Sequence, residues 1–291
     1  MPNFLCNLCG AATGFSPSAD REETLCVACG CSMRMRGVIA TLSRTLFQCE
    51  IPLPEFPALK AVKALGISDS PLYAAGLERS FRYTNTFFHQ EPFLDIRNPS
   101  VGECGQYDFV ICSEVLEHVP QPAVHAVEGL RKLLKPSGFL LVTVPYHLAP
   151  ESTEHFPPFQ HQTLATLGGE PILIGRDADG HFHVRKDLVF HGGPGSTLEH
   201  RQCSDGGIQT LLRNHGFPTI TIDTTAAPAF GIEYDSPCSL PIIASQGKFV
   251  LPPEAVAELA QQYADGQTKL RQARESSWLR LGQRLGLGPR L

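Results

Sequence analysis

The sequence predicts an α/β fold in which a mostly parallel sheet is covered by helices on both faces, with a small cysteine-held unit at the N-terminal end. Three observations predict it. Between about residues 58 and 250, short apolar runs alternate with segments of helical periodicity, as in a parallel sheet whose strands are joined by helices. Ahead of that region stand two Cys-x-x-Cys-Gly repeats, Cys6-Asn-Leu-Cys9-Gly10 and Cys26-Val-Ala-Cys29-Gly30. At 291 residues, the chain has room for one large domain and an appendage but not for two large domains.

The two cysteine pairs are sixteen residues apart, within the spacing of a four-cysteine zinc site. A glycine after each pair lets the backbone turn tightly, so that both thiolates face one metal. The expected ligands are Cys6, Cys9, Cys26 and Cys29, which leave no open coordination position, so the zinc is expected to be structural. Cys31 lies two residues beyond Cys29 and could replace it. Cys49, Cys104, Cys112, Cys203 and Cys238 are scattered and read as packing residues. The opening MPNFLCNLCG has neither the basic nor the apolar stretch of a signal peptide, so a reducing cytoplasm is expected. No apolar run is long enough for a membrane span. A net charge of -5 argues against a large phosphate-tracking surface, so nucleic acid is not the expected partner.

Ser32 to Phe47 places Met35, Val38, Ile39, Leu42 and Leu46 at helical spacing, and the three prolines of Ile51 to Pro57 end the pattern. The predicted division is a ribbon over 1–36, a bridging helix and linker over 37–57, a main domain over 58–250 and a helical tail over 251–291. Within the main domain the patterning predicts strands near 61–65, 83–88, 93–96, 109–112 and 139–144, with helices near 72–81 and 123–134. A further helix is expected over 205–214, then strands over 219–223 and 240–245. Tyr146 to about His200 reads as a long irregular insertion rich in His, Gly and Pro, the kind of segment where function tends to sit. The tail from Pro253 reads as an exposed amphipathic helix with a basic, Gly-containing end.

The segment Tyr107-Asp-Phe-Val-Ile-Cys-Ser-Glu-Val-Leu-Glu-His118, followed by a helix and by Leu133-Leu-Lys-Pro-Ser-Gly-Phe-Leu-Leu-Val-Thr-Val-Pro145, resembles the class I S-adenosylmethionine-dependent methyltransferases. The resemblance covers roughly residues 58–146 and extends more loosely to 250. It implies a Rossmann-like sheet with an antiparallel last strand, and a cofactor beyond the carboxyl ends of the strands. Mapped onto this chain, Ala64-Leu-Gly66-Ile-Ser68-Asp69 stands where the family has its glycine-rich loop. Gly66 would then permit close approach of the cofactor, with Ser68 and Asp69 as polar contacts to its amino acid end. Asp95 matches the acid that meets the adenine amino group, Ile96 would pack on the ring, and Ser113 and Glu114 would face cofactor and substrate. The second strand has no ribose-binding acid, and Asn85 is the available substitute. The four-cysteine ribbon with Arg34 and Arg36 at the following helix start, Glu154-His-Phe-Pro157 and Phe190-His-Gly-Gly-Pro-Gly-Ser-Thr-Leu-Glu199 are similar to a subset of the family whose acceptors are mostly unassigned.

Methyl transfer needs an in-line nucleophile, and acid–base help only where the acceptor must lose a proton. His118, His155 and His191 are the candidates for that help. A second zinc site from His181, His183 and His191 is disfavoured because no fixed fourth ligand accompanies them. The glycines over 192–195 lack the lysine and helix of a phosphate loop. The expected activity is methyl transfer from S-adenosylmethionine to a small-molecule or sugar-like acceptor, with oligomeric state open. Two alternatives remain at this point: an RNA methyltransferase that grips RNA with its ribbon, and a non-catalytic methyltransferase-fold binding module, suggested by the glycine-poor loop and the missing ribose acid.

Overall fold

The computed structural model describes residues 4–14, 22, 24–191, 197–234 and 239–275. Cys238, the loop 192–196 and the tail beyond 275 lie outside the described residues. The chain begins with the paired strands β1 (Phe4–Leu5) and β2 (Ala12–Thr13), followed by α1 (Met33–Phe47). Then come β3 (Leu59–Ile67), α2 (Pro71–Ser80), β4 (Phe81–Thr86), β5 (Tyr107–Ser113), α3 (Val124–Leu133) and β6 (Leu134–Thr143). Short strands β7 (Tyr146–His147) and β8 (Thr153–Glu154) lead to β9 (His161–Leu167), β10 (Glu170–Arg176), β11 (Phe182–Arg185), β12 (Phe190–His191), β13 (Thr197–Leu198) and β14 (Arg201–Ser204). The chain returns to the main sheet through α4 (Asp205–Asn214), β15 (Thr219–Ile222) and β16 (Ile242–Ser245), and ends in α5 (Pro253–Glu275).

The main sheet has the order β15-β16-β6-β5-β3-β4, and only β16 runs against its neighbours. This is the predicted architecture. Every residue of β5 is buried, because both faces of the strand are covered. Val110 and Cys112 pack into one layer with Val127, Leu130 and Leu212 of α3 and α4. Phe109 and Ile111 point to the other face, toward Leu42 of α1 and Leu77 of α2. The helices start where local chemistry allows. The Ser32 hydroxyl accepts from the Met35 amide, and Ser70 caps α2 just ahead of Pro71.

The N-terminal unit is part of that second layer. Phe4, Cys6, Leu8, Cys26 and Cys31 are buried in one cluster with Leu53, Phe56, Leu59 and Phe109. Arg36 of α1 is fully buried; its guanidinium donates to the carbonyls of Cys31 (2.9 Å) and Gly231 (3.1 Å) and lies over the Phe4 ring. One side chain thereby ties ribbon, bridging helix and main domain together.

Two predicted elements differ. Phe93 to Ile96 is not a strand: it makes a single bridge, Phe87 to Phe93, beyond the edge strand β4. The Asp95 carboxylate accepts from the Arg97 amide (3.0 Å), and this local turn competes with ladder pairing. The 146–200 insertion, expected as an irregular loop, contains an antiparallel meander, β9-β10-β11. Gly168 and Gly169, both with positive φ, form the two-residue turn between β9 and β10. The expected tail helix is present to Glu275 and mostly exposed, with Glu258 accepting from the Ala61 amide at the start of β3.

Candidate active site

A cleft of about 550 Å³ opens beyond the carboxyl ends of β3 and β5, where an open α/β sheet binds its ligand. Of the residues predicted for the cofactor, Ser68, Asp95, Ile96 and Glu114 line it. Ser68 and Glu114 both have positive φ (56° and 57°), strained for residues with a side chain, and they flank the cleft at the ends of neighbouring strands. The Asp95 carboxylate is held by Arg97 (2.8 and 3.0 Å), which keeps it below its ordinary pKa.

Gly66, Asp69 and Ser113 are placed differently from that expectation. The Asp69 side chain turns inward and accepts from Tyr83 (2.5 Å) and Tyr73 (2.8 Å). Burial pushes its pKa up to about 7 despite those two hydrogen bonds. Gly66 serves the same cluster: a Cβ there would lie 1.9 Å from the Tyr83 hydroxyl and 2.4 Å from Asp69 Oδ2. Its lack of a side chain makes room for a buried tyrosine–aspartate pair. Asn85 is occupied as well, since its amide exchanges two hydrogen bonds with the Asp69 backbone. Ser113 bonds Thr143 (2.8 Å) and accepts from Arg34 of α1 (2.8 Å), which also reaches Glu22 (2.7 Å) and faces Glu114 at 4.0 Å. The helix that follows the ribbon is therefore wired to the strand end beside the cleft.

At the other end of the cleft the three predicted histidines come together. His118, on the 3-10 turn Leu116–His118 after β5, lines the cleft and meets His191 edge to face at 4.8 Å. His191 Nε2 lies 2.5 Å from Glu199, whose other oxygen is 2.7 Å from His155. His200, which also lines the cleft, is driven down to about 4 by burial and stays neutral. Beneath them Glu117 is fully buried, and burial with the nearby Glu114 charge raises its pKa. The insertion brings these residues together. His200 donates its amide to the Glu117 carbonyl (2.7 Å), His155 to the His200 carbonyl (3.0 Å), and Arg201 reaches the Leu116 carbonyl. Sequence reading missed Glu117 and Glu199. Each sits beside a recognised histidine or motif, yet nothing local pairs positions so far apart in the chain.

Both cysteine turns have the expected form. The Gly10 and Gly30 amides donate to the Cys6 and Cys26 carbonyls (2.8 Å each), and both glycines have positive φ. The four thiols that lie within 4.8 Å of one another are Cys6, Cys26, Cys29 and Cys31. Cys9, predicted as a ligand, is exposed at the rim, although its thiol still interacts with those of Cys6 and Cys29. Cys31 is drawn in because its carbonyl accepts from the Cys26 amide and from Arg36, which fold the chain back over the turn. His181 and His183 lie with Asp177 on the β10–β11 hairpin, away from His191.

A mostly parallel sheet with one reversed strand, and a cleft at its carboxyl edge, define the class I methyltransferase fold. A family model for the methyltransferase domain matches residues 9–183, more than half of the chain, and the protein belongs to that family. Among curated proteins, a ubiquinone biosynthesis O-methyltransferase of Marinobacter nauticus is 34% identical over 94 residues, covering 31% of this chain and 38% of that protein. One from Paraburkholderia xenovorans is 58% identical over 38 residues, 13% of this chain and 16% of that protein. The similarity thus spans well under half the length of these relatives. Among solved structures, the glycopeptide N-methyltransferase MtfA with S-adenosylmethionine matches with TM-score 0.40 and 12% identity, over 64% of this chain and 87% of that one. An S-adenosylmethionine-dependent methyltransferase from Clostridium acetobutylicum matches with TM-score 0.38 and 11% identity, over 64% and 83%. Among the described residues, no helix is long and apolar enough to cross a membrane.

Proposed function

We propose that this protein transfers a methyl group from S-adenosylmethionine to a hydroxyl oxygen of a small-molecule acceptor. The observation that carries the reading is the single cleft with two chemically different ends. Asp95 and the apolar Ile96 stand at one end, and His118 with its imidazole–carboxylate neighbours stands at the other. Its volume suits a cofactor-sized ligand. Asp95 has acceptor lone pairs for an amino group, Ile96 offers an apolar contact, and Ser68 and Glu114 supply polar groups beside them. When bound, S-adenosylmethionine supplies an electrophilic methyl carbon.

The acceptor hydroxyl must shed its proton as the new C–O bond forms, and the histidine–carboxylate cluster is the group placed to promote that loss. Apolar Val115, Val119 and Leu198 border this end and limit water. Oxygen as the acceptor atom is supported by the names of the curated relatives, both O-methyltransferases. The chemistry of the cysteine cluster suits Zn²⁺, with Cys6, Cys26, Cys29 and Cys31 as the closed ligand set and a structural role.

Calorimetry with S-adenosylhomocysteine tests the cofactor half; binding that Asp95→Ala weakens at least tenfold is expected, and no binding by the wild type would sink the proposal. Transfer of labelled methyl groups to a panel of catechols and polyols, run beside matched amines, tests the acceptor half. Labelled amines with unlabelled hydroxyl compounds would overturn the choice of oxygen.

A further inference from the structure

Glu117 is fully buried, and among the described residues neither of its carboxylate oxygens has a hydrogen-bond partner. A buried carboxylate of this kind needs a compensating cation or proton. Its Oε1 atom faces two imidazole nitrogens, His118 Nε2 at 3.7 Å and His191 Nδ1 at 3.9 Å, and the three atoms fall within one 4.8 Å cluster.

The second nitrogen of each ring is already held. His118 Nδ1 lies 2.8 Å from the Leu198 carbonyl, which can only accept, so Nδ1 carries the proton and Nε2 presents its lone pair to Glu117. His191 Nε2 lies 2.5 Å from the Glu199 carboxylate, so Nε2 carries a proton and Nδ1 is the nitrogen turned toward Glu117. Glu199 is in turn fixed by His155. Two imidazole nitrogens and a carboxylate oxygen therefore converge, and each ring is oriented by an acceptor behind it. Metal-binding histidines are held in this way.

We propose that Glu117, His118 and His191 bind a divalent first-row transition-metal ion, with Glu199 and His155 as positioning residues behind His191. Ligand atoms at 2.0–2.2 Å from a metal stand roughly 3.4 Å apart in a tetrahedral shell, so the edges of 3.7 and 3.9 Å to Glu117 need to shorten by only a few tenths of an ångström, and the third edge lies within 4.8 Å. Two histidines and one carboxylate suit such a cation better than Mg²⁺ or Ca²⁺, and three protein ligands leave positions open. His118 lines the cleft, so the open side faces the acceptor end. An acceptor oxygen taking one of those positions would be polarised there, which deepens the methyl-transfer reading and rests on it for the identity of the occupant. The other histidine-containing group, Asp177, Asp179 and His181, lies on an exposed hairpin where Asp177 is occupied by the turn's own amides and by His183, and it makes no comparable site.

The test is a titration with Co²⁺ of full-length protein loaded with a single equivalent of zinc, which the four clustered thiols take up first, followed by visible absorption. Nitrogen and oxygen ligands give weak d–d bands, whereas cobalt displacing zinc from thiolates adds intense charge transfer. The expected result is weak bands saturating at one further equivalent, with affinity at least tenfold lower in Glu117→Gln and in His191→Ala and unchanged in Asp177→Asn. No bands in the wild type, full binding by Glu117→Gln and His191→Ala, or charge-transfer bands alone would each overturn the site. Calorimetry with S-adenosylhomocysteine on the same samples separates the two claims. Cofactor binding without cobalt binding defeats the metal site alone. Cobalt binding without cofactor binding defeats the methyl-transfer reading and leaves the metal site standing.

Discussion

Position 66 has no room for a methyl group, because a Cβ there would lie 1.9 Å from the Tyr83 hydroxyl. Gly66→Ala should therefore cost about 1–3 kcal/mol, as overpacking does, measured by chemical denaturation. An unchanged midpoint would contradict the packing described. Asp69 adds a pH signature. Burial raises its folded pKa to about 7, above its ordinary 3.8. Below about pH 4 the carboxyl is neutral in both states. As pH rises from there to about 7 the unfolded state releases its proton first, so the stability associated with the neutral buried form is lost across that window. The wild type should lose more stability than Asp69→Asn between pH 4 and 7, read as the difference between their melting temperatures. Parallel profiles would refute the assignment. The side-chain types at Gly66 and Asp69 were legible in the chain, but not their partners, because Tyr83 enters from a neighbouring strand and reverses the direction the aspartate faces.

The ribbon and α1 behave as one element with the second core layer. The thiols of Cys6, Cys26, Cys29 and the buried Cys31 lie within 4.8 Å of one another, with Cys9 exposed at the rim. Cys31→Ser should lower bound zinc well below one equivalent, while Cys9→Ser should retain it, measured by elemental analysis of purified protein. The reverse order would restore the pairing that the sequence spacing suggested. Because Cys6 and Cys31 share a cluster with Leu59 and Phe109, loss of zinc should lower the melting temperature of the whole molecule in one transition. Arg34 extends the coupling to the cleft through Ser113. Arg34→Met is expected to weaken S-adenosylhomocysteine binding several-fold without changing zinc content, and equal affinity would show that the contact only packs.

At the scale of the whole molecule, the insertion has two parts. The return path through Glu199 to Arg201 builds the acceptor end, whereas the β9–β11 meander projects with most of its residues exposed and touches the cleft through Gln162. Replacing 162–184 with a short Gly-Ser linker should leave S-adenosylhomocysteine binding intact and raise the acceptor KM, since Gln162, its residue in the cleft, bonds His200 at the acceptor end. Loss of cofactor binding would show instead that the meander supports the sheet.

The sequence by itself determined the α/β alternation, the cysteine turns and most core strands. These depend on periodicity and on glycine at short range, and both are readable one segment at a time. It also marked His118, His155 and His191. Tertiary structure decided which cysteine closes the cluster, that Gly66 and Asp69 serve a buried tyrosine pair, and that Glu117 and Glu199 join the three histidines. Each of those outcomes depends on groups from separate elements meeting in a space that excludes water. Such a meeting is set by the packing of the sheet and its insertion, and no local pattern encodes it.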